Sequence, residues 1–192
     1  MTSVTIFGKG NMGGAIGALL TQGGATVTHL TSADTDATIS GDIVVLAVPH
    51  PAVASILDDY ADQLAGKIVV DITNPLDFAT FDSLVVPADS SKAAEIAAAI
   101  PTATVLKAFN TNFAATLAGG QVGGAEPTTV LVAGDDADAK QALIDLVTAG
   151  GLQAVDAGSL KRARELEAVG FLQLTLAVGE KLGWTGGFAV VR

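Results

Sequence analysis

The chain contains no cysteine. It can therefore form no disulfide, present no thiolate nucleophile and build no cysteine-ligated metal site. Histidine is nearly as scarce, with His29 and His50 the two available for imidazole chemistry, so no metal is expected. Basic residues are also few: ten Lys and Arg stand against 20 Asp and Glu, a formal net charge of −10. That balance argues against a nucleic-acid surface or an anionic membrane as partner, and any anionic ligand would need locally placed donors. Long apolar runs are missing too. The stretch IVVLAV, Ile43 to Val48, is far shorter than the roughly 20 residues needed to span a bilayer. The N-terminal MTSVTIF lacks a basic segment followed by an apolar targeting stretch, and a cytoplasmic location is expected.

What remains is a chain of 192 residues, 49% of them hydrophobic, enough for one α/β domain with a well-buried core. Short β-branched runs alternate with alanine-rich helical stretches. Strands are predicted near Val4–Phe7, Thr26–Leu30, Ile43–Val48, Lys67–Ile72, Val105–Phe109, Thr129–Val132 and Gln153–Asp156. Several are continuous apolar runs, as expected of strands covered by helices on both faces. Helices are predicted over Asn11–Gln22, Pro51–Leu64, Ser91–Ile100, Asp135–Ala149 and Leu160–Leu182, and a long irregular loop over Asn74–Ser91. The pattern predicts an α/β fold: a doubly wound, mostly parallel sheet in a single domain over 1–192, with about 158–192 as a C-terminal helical extension.

Gly8, Gly10 and Gly13 form G-x-G-x-x-G directly after the first strand and at the start of the first helix. In that setting Gly8 makes a tight turn, Gly10 lets the backbone approach a pyrophosphate, and Gly13 lets helix and strand pack closely. The helix N-terminus then offers free N–H groups and partial positive charge to the phosphates. A plain glycine-rich turn is the alternative. Preference between dinucleotides rests on the end of the second strand, where Thr31 and Ser32 can donate hydroxyls to the 2′-phosphate of NADP. Asp34 comes later, and a contact from it to the ribose would favour NAD. NADP(H) is the preferred expectation over NAD(H).

Taken together, the segments FGKGNMGGAIG, VVLAVPHPAV, GKIVVDITNPLD, VLKAFNTNFA, VLVAGDD and LKRARELEAVGF resemble, in order and over nearly the whole chain, the dinucleotide-binding enzymes related to deazaflavin (coenzyme F420)-dependent NADP oxidoreductases. The resemblance implies a Rossmann-type domain, often a homodimer, with NADP at the strand ends and a flavin-like or deazaflavin co-substrate beside the nicotinamide. Matching positions would be Gly8, Lys9, Gly10, Asn11 and Met12 at the pyrophosphate, and Thr31 and Ser32 at the adenosine ribose. The cofactor would continue past Ala47, Val48, Pro49 and His50 to Asn74 and Pro75 near the nicotinamide. Ser32 stands where family members commonly carry an arginine, and Phe109 near a position that typically holds a histidine.

Dehydrogenases acting on alcohols or amines need a general acid/base beside the substrate, and the C-terminal helical stretch carries no Lys-x-x-x-Asn pair of the kind related hydroxyacid dehydrogenases use. Transfer between a nicotinamide and a flavin-type ring needs mainly stacking and orientation. The expectation is hydride exchange between nicotinamide and a flavin-like or small carbonyl partner; a binding or sensing protein without turnover is the alternative. Asn74, Phe109 and Asn110 are the candidates near the nicotinamide, with Asn112 read either there or as a turn residue. His50 is read equally as a cofactor contact or a capping residue. His29 is expected to be structural; Lys161, Arg162 and Arg164 are read as a solvated helix face, with an anion or partner-subunit contact as the alternative, and Trp184 as a C-terminal anchor, with a cover over the active site or dimer seam as the alternative.

Overall fold

In a computed structural model, residues 1–34 and 36–191 are described. The first five strands are β1 (Ser3–Phe7), β2 (Thr26–Leu30), β3 (Ile43–Leu46), β4 (Ile68–Asp71) and β5 (Thr104–Lys107). After a two-stranded ribbon, β6 (Gln121–Val122) and β7 (Glu126–Pro127), come β8 (Thr129–Gly134) and β9 (Gln153–Gly158). The main sheet has seven strands in the order β2-β1-β3-β4-β5-β8-β9. Strands β2, β1, β3, β4 and β5 are mutually parallel. β8 runs antiparallel to β5 and parallel to β9, so the sheet is mostly parallel.

Alternating strand residues enter opposite apolar clusters. Val45, Val70 and Leu106 join Ile16, Leu20 and Leu143 in one, while Val44, Leu46, Val69 and Val105 join Leu57, Leu64 and Ile96 in the other. Because side chains alternate across a strand, both faces are covered and the strands can be continuously apolar. The covering helices are α1 (Asn11–Gln22), α2 (Val53–Leu64), α3 (Lys92–Ala99), α4 (Ala114–Gly119), α5 (Ala137–Ala149) and α6 (Ala163–Val178). Helix α3 is capped by the Ser91 side chain, which accepts from the Ala94 N–H, and α5 by Asp136, which accepts from the Ala139 N–H. Such caps satisfy donors that a helix start otherwise leaves free.

Several expectations need correction. The helix predicted over Leu160–Leu182 is a 3₁₀ turn, Leu160–Arg162, followed by α6, which ends at Gly179 before Glu180 at φ +57; a left-handed residue cannot continue a right-handed helix. Strands β3 and β5 stop at Leu46 and Lys107, short of the predicted Val48 and Phe109. Helix α4 and the β6–β7 ribbon were not predicted, being too short to show a period. The 74–91 loop is partly ordered by its own backbone: Asp77 donates to Ser83, Val85 to Pro75, and Leu76 bridges to Leu84. No helix among the described residues is long and apolar enough to cross a membrane.

Candidate functional site

The chain leaves β1 toward β2 on one side and returns to β3 on the other. At that reversal the carboxyl ends of two neighbouring strands diverge and open a crevice, the place where open α/β sheets bind ligands. Gly8 follows β1 directly. It adopts φ +107, where L side chains are strained, and a Cβ there would collide with the Ala47 carbonyl oxygen. A Cβ on Gly13 would collide with the Gly8 carbonyl oxygen. These two glycines are required by packing.

Gly10 is different. Its φ is −70 and a Cβ on it would meet nothing within 4 Å, so neither backbone nor core demands glycine here. It is the N-cap residue of α1, and no side chain caps that helix. The first-turn N–H groups of α1 are thus left for an external acceptor, which a glycine cap allows to approach closely. Lys9 and Asn11 are exposed beside it, and Lys9 is the sole Lys or Arg before Lys67. Met12 is half-buried against the core. His29 reaches across from β2 with Nδ1 2.9 Å from the Gly8 carbonyl oxygen; a carbonyl only accepts, so Nδ1 carries the proton. Its structural role is to hold the loop from below.

At the end of β2, Thr31 and Ser32 are exposed. Asp34 folds back onto the strand end: its Oδ2 accepts from the Thr31 N–H at 2.8 Å and from the Thr31 hydroxyl at 2.7 Å. These bonds hold the Asp34 carboxyl below its ordinary value of 3.8. A carboxylate therefore lies against the strand end beside the Thr31 and Ser32 hydroxyls. Ala47 and Val48, half-buried, and the exposed Pro49 follow β3. His50 begins a 3₁₀ turn, and burial, followed by the Lys92 charge, pushes its imidazole below the ordinary 6.5, so it is neutral at pH 7.

The loops after β4 and β5 meet. The Asn74 side-chain amide donates to the Asn110 backbone carbonyl at 2.8 Å, and the Asn110 side-chain amide donates to Asn74 Oδ1 at 2.8 Å and to the Leu166 carbonyl of α6 at 2.8 Å. Pro75, next in sequence, is buried and biases Asn74 toward extended backbone. Phe109 corrects an expectation: its ring is fully buried in the core beside the sheet, so it presents no face to a ligand. It contributes a backbone turn at φ +63, which aims Asn110. Asn112 donates to the Thr129 carbonyl at 3.0 Å and ties this turn to β8. Trp184 packs on Phe113 with ring centroids 5.0 Å apart, which anchors the C-terminal tail. Lys161, Arg162 and Arg164 are exposed.

Beneath the asparagine pair lies a charge cluster that was not anticipated. Lys107 Nζ donates to Asp71 Oδ2 at 2.8 Å, to Glu167 Oε1 at 2.8 Å and to the Thr73 carbonyl at 2.5 Å. All three charged side chains are essentially inaccessible. Burial drives the Glu167 carboxyl above its ordinary 4.5, the effect outweighing the opposing pull of Lys107. A lysine inside the apolar run TVLKAF was the available signal, since lysine is almost never fully buried unless paired. The three buried side-chain oxygens without a partner among the described residues, Thr73 Oγ1, Asn110 Oδ1 and Asn112 Oδ1, all belong to the loops after β4 and β5. Buried polar atoms are normally satisfied, and these three set the loops after β4 and β5 apart from the rest of the described residues.

A glycine turn at the switch point, an uncapped α1 and polar loops along the same strand-end edge define a mostly parallel α/β protein of the Rossmann class. Comparison with known proteins is specific. The family model described as NADP oxidoreductase, coenzyme F420-dependent, matches residues 25–75. The chain is 31% identical over 172 residues, 88% of this chain and 76% of the relative, to the F420-dependent NADP reductase of Methanocaldococcus jannaschii. It is 37% identical over 134 residues to the metalloreductase STEAP3 of Rattus norvegicus, matching 70% of this chain but 26% of that protein. A solved structure from Arthrobacter sp. FB24, provisionally described as an F420-dependent NADP reductase, superposes with a TM-score of 0.84 at 26% identity, with all of both chains covered. The chain belongs to the F420-dependent NADP oxidoreductase family, and these relatives place it among oxidoreductases.

Proposed function

We propose that the chain binds NADP(H) and moves a hydride between the nicotinamide and a flavin-like acceptor, deazaflavin included, or a small carbonyl compound. Gly10 is the observation that carries this reading, because it is a glycine that the fold itself does not need, at an uncapped helix start. Gly8, Lys9, Gly10, Asn11, Met12 and Gly13 would hold the pyrophosphate, and Thr31 and Ser32 the adenosine ribose with its 2′-phosphate. Ala47, Val48, Pro49 and His50 would line the middle, and Asn74, Pro75 and Asn110 the nicotinamide end. When bound, the cofactor supplies the hydride chemistry. Amides such as Asn74 and Asn110 orient a partner but do not carry protons at neutral pH, which suits an acceptor that needs orientation more than acid/base help. The Thr31–Asp34 contact narrows the preference for NADP(H), since a 2′-phosphate there must displace or tolerate a carboxylate.

The proposal includes one dinucleotide-binding domain over residues 1–192, with about 158–192 as its extension, in a cytoplasmic homodimer. Apolar side chains exposed on α6 and the tail, among them Leu172 (50%), Trp184 (53%) and Phe188 (48%), support self-association. Sedimentation over a concentration series tests it, and a monomer throughout removes it. For the activity, NADPH consumption is followed with F420, FMN and a quinone panel beside direct titration of NADPH. Turnover supports the oxidoreductase; binding without turnover assigns a sensing role; no binding sinks both.

A further inference from the structure

Helix α6 carries two buried polar side chains, Glu167 and Gln173, on the face it turns to the sheet. A helix that served only to cover the core would place apolar residues there. Each polar group on that face has a defined partner at the strand ends. The Leu166 carbonyl accepts from the Asn110 side chain. Gln173 Nε2 donates to the Thr111 carbonyl at 3.1 Å, while its Oε1 accepts from the Phe188 N–H at 3.0 Å. Between them, Gly170 lies so close to Asn74 and Asn110 that a Cβ would collide with Asn74 Oδ1 and come within 2.9 Å of the Asn110 carbonyl oxygen.

Glu167 is the hub. One carboxylate oxygen accepts from Lys107 Nζ, and the other accepts from the Lys92 N–H at 3.0 Å at the start of α3. Lys107 uses its three protons on Glu167, Asp71 and the Thr73 carbonyl, which is the full donor capacity of an ammonium. Asp71 Oδ1 in turn accepts from the Thr73 N–H at 2.9 Å. Thr73 is thereby gripped by both its N–H and its carbonyl, and the next residue is Asn74. The 74–91 loop is tied at its start through Lys107 and at its end through Lys92, both to one carboxylate.

We propose that Glu167, acting through Lys107 and Thr73, is a positioning residue that sets the Asn74–Asn110 amide pair for the nicotinamide end of the bound cofactor. Position matters because a misplaced orienting group loses the benefit of preorganisation even when the contact itself remains chemically possible. Glu167 touches no ligand in this scheme. The inference rests on the dinucleotide reading above and adds to it a role for the C-terminal extension.

The test compares NADPH with 2′-phospho-ADP-ribose, which lacks the nicotinamide, in titrations against the unaltered protein and the variants Glu167→Gln and Gly170→Ala. Glu167→Gln keeps the side-chain shape and the Lys107–Asp71 pair. Gly170→Ala leaves the charge cluster alone and pushes directly on Asn74, so it serves if the first variant folds poorly. Each variant is expected to weaken NADPH about tenfold, the worth of about one net hydrogen bond, while 2′-phospho-ADP-ribose stays within about twofold. A role in stability alone would weaken both ligands together or neither; either result in Glu167→Gln, or in Gly170→Ala where the first variant does not fold, overturns the inference. Failure of the unaltered protein to bind either ligand overturns the dinucleotide reading and, with it, this one.

Discussion

The two ends of the site are built by opposite means. The proposed phosphate end is one contiguous stretch, Gly8 to Gly13, shaped by backbone and missing side chains. The opposite end draws on the loops after β4 and β5, the start of α3 and the body of α6, joined by a buried ammonium with two carboxylates and a pair of side-chain amides. The first tolerates no Cβ at Gly8 or Gly13, where it would meet a backbone carbonyl oxygen, but has open space at Gly10. The second is a network, in which each member is held by others and the removal of one leaves buried groups unsatisfied.

The sharpest way to break the comparison is at Lys107. Its replacement by methionine strands two buried carboxylates, and unpaired buried charge is costly. The folded state should lose about 3–5 kcal/mol, read as a fall in the denaturation midpoint at neutral pH. A variant as stable as the parent would mean the cluster is not closed in solution. Gly10→Val should do the reverse. The open space at the Gly10 Cβ position predicts a folded variant whose melting temperature falls only by what a glycine N-cap is worth over valine, while NADPH affinity falls at least about a hundredfold, or ~2.7 kcal/mol, because the side chain occupies the approach of the phosphates. Retained affinity by titration would assign the glycine turn a purely structural role.

Asp34 sharpens the ribose end. Removing its carboxylate in Asp34→Ala frees the Thr31 donors and takes away a negative charge, so NADPH should bind about tenfold tighter, ~1.4 kcal/mol, with NADH unchanged or weaker. If NADH instead loses most of its affinity in this variant while NADPH gains nothing, Asp34 is a ribose ligand and the preference is for NAD.

The smallest effect is in pH dependence, where the two ends have opposite signs. Asp34 has its pKa lowered by Thr31, so its contribution to stability is present above 3.8 and is lost as pH falls through the still lower folded value. Glu167 has its pKa raised by burial. Its contribution is fully present below 4.5 and is lost as pH rises through the higher folded value. In melts, the parent should therefore gain stability relative to Glu167→Gln as pH is lowered toward 4.5. A parent that gains on the variant as pH rises above 4.5 would contradict the sign.

The composition pattern and the glycine spacing were sufficient for the parallel sheet, the glycine turn and α1, because these are local: a strand, a turn and a helix in one short run, each with its own propensity and period. Thr31, Ser32 and the strand-end stretch Ala47–His50 follow from the same logic of position along a strand. Local order also misled. Residue order puts Asp34 after Thr31 and Ser32 and says nothing of its side chain folding back on Thr31, and it gives no sign that Phe109, at positive φ, turns the chain and buries its ring.

Tertiary structure alone decided the other end. Asp71, Lys107 and Glu167 stand 36 and 60 residues apart, and nothing in their spacing pairs them. Only when parallel β4 and β5 set Asp71 beside Lys107, and α6 crosses over them, does desolvation make pairing obligatory. Gly170 has the same lesson in a single residue. Within the sequence it is a weak point in a helix; in the fold it is the space that two asparagines from distant loops require. Local propensity fixes an element by the cost of its own backbone, whereas a buried polar site is fixed by the cost of leaving any one partner unmet, and that cost exists only after the chain has closed around it.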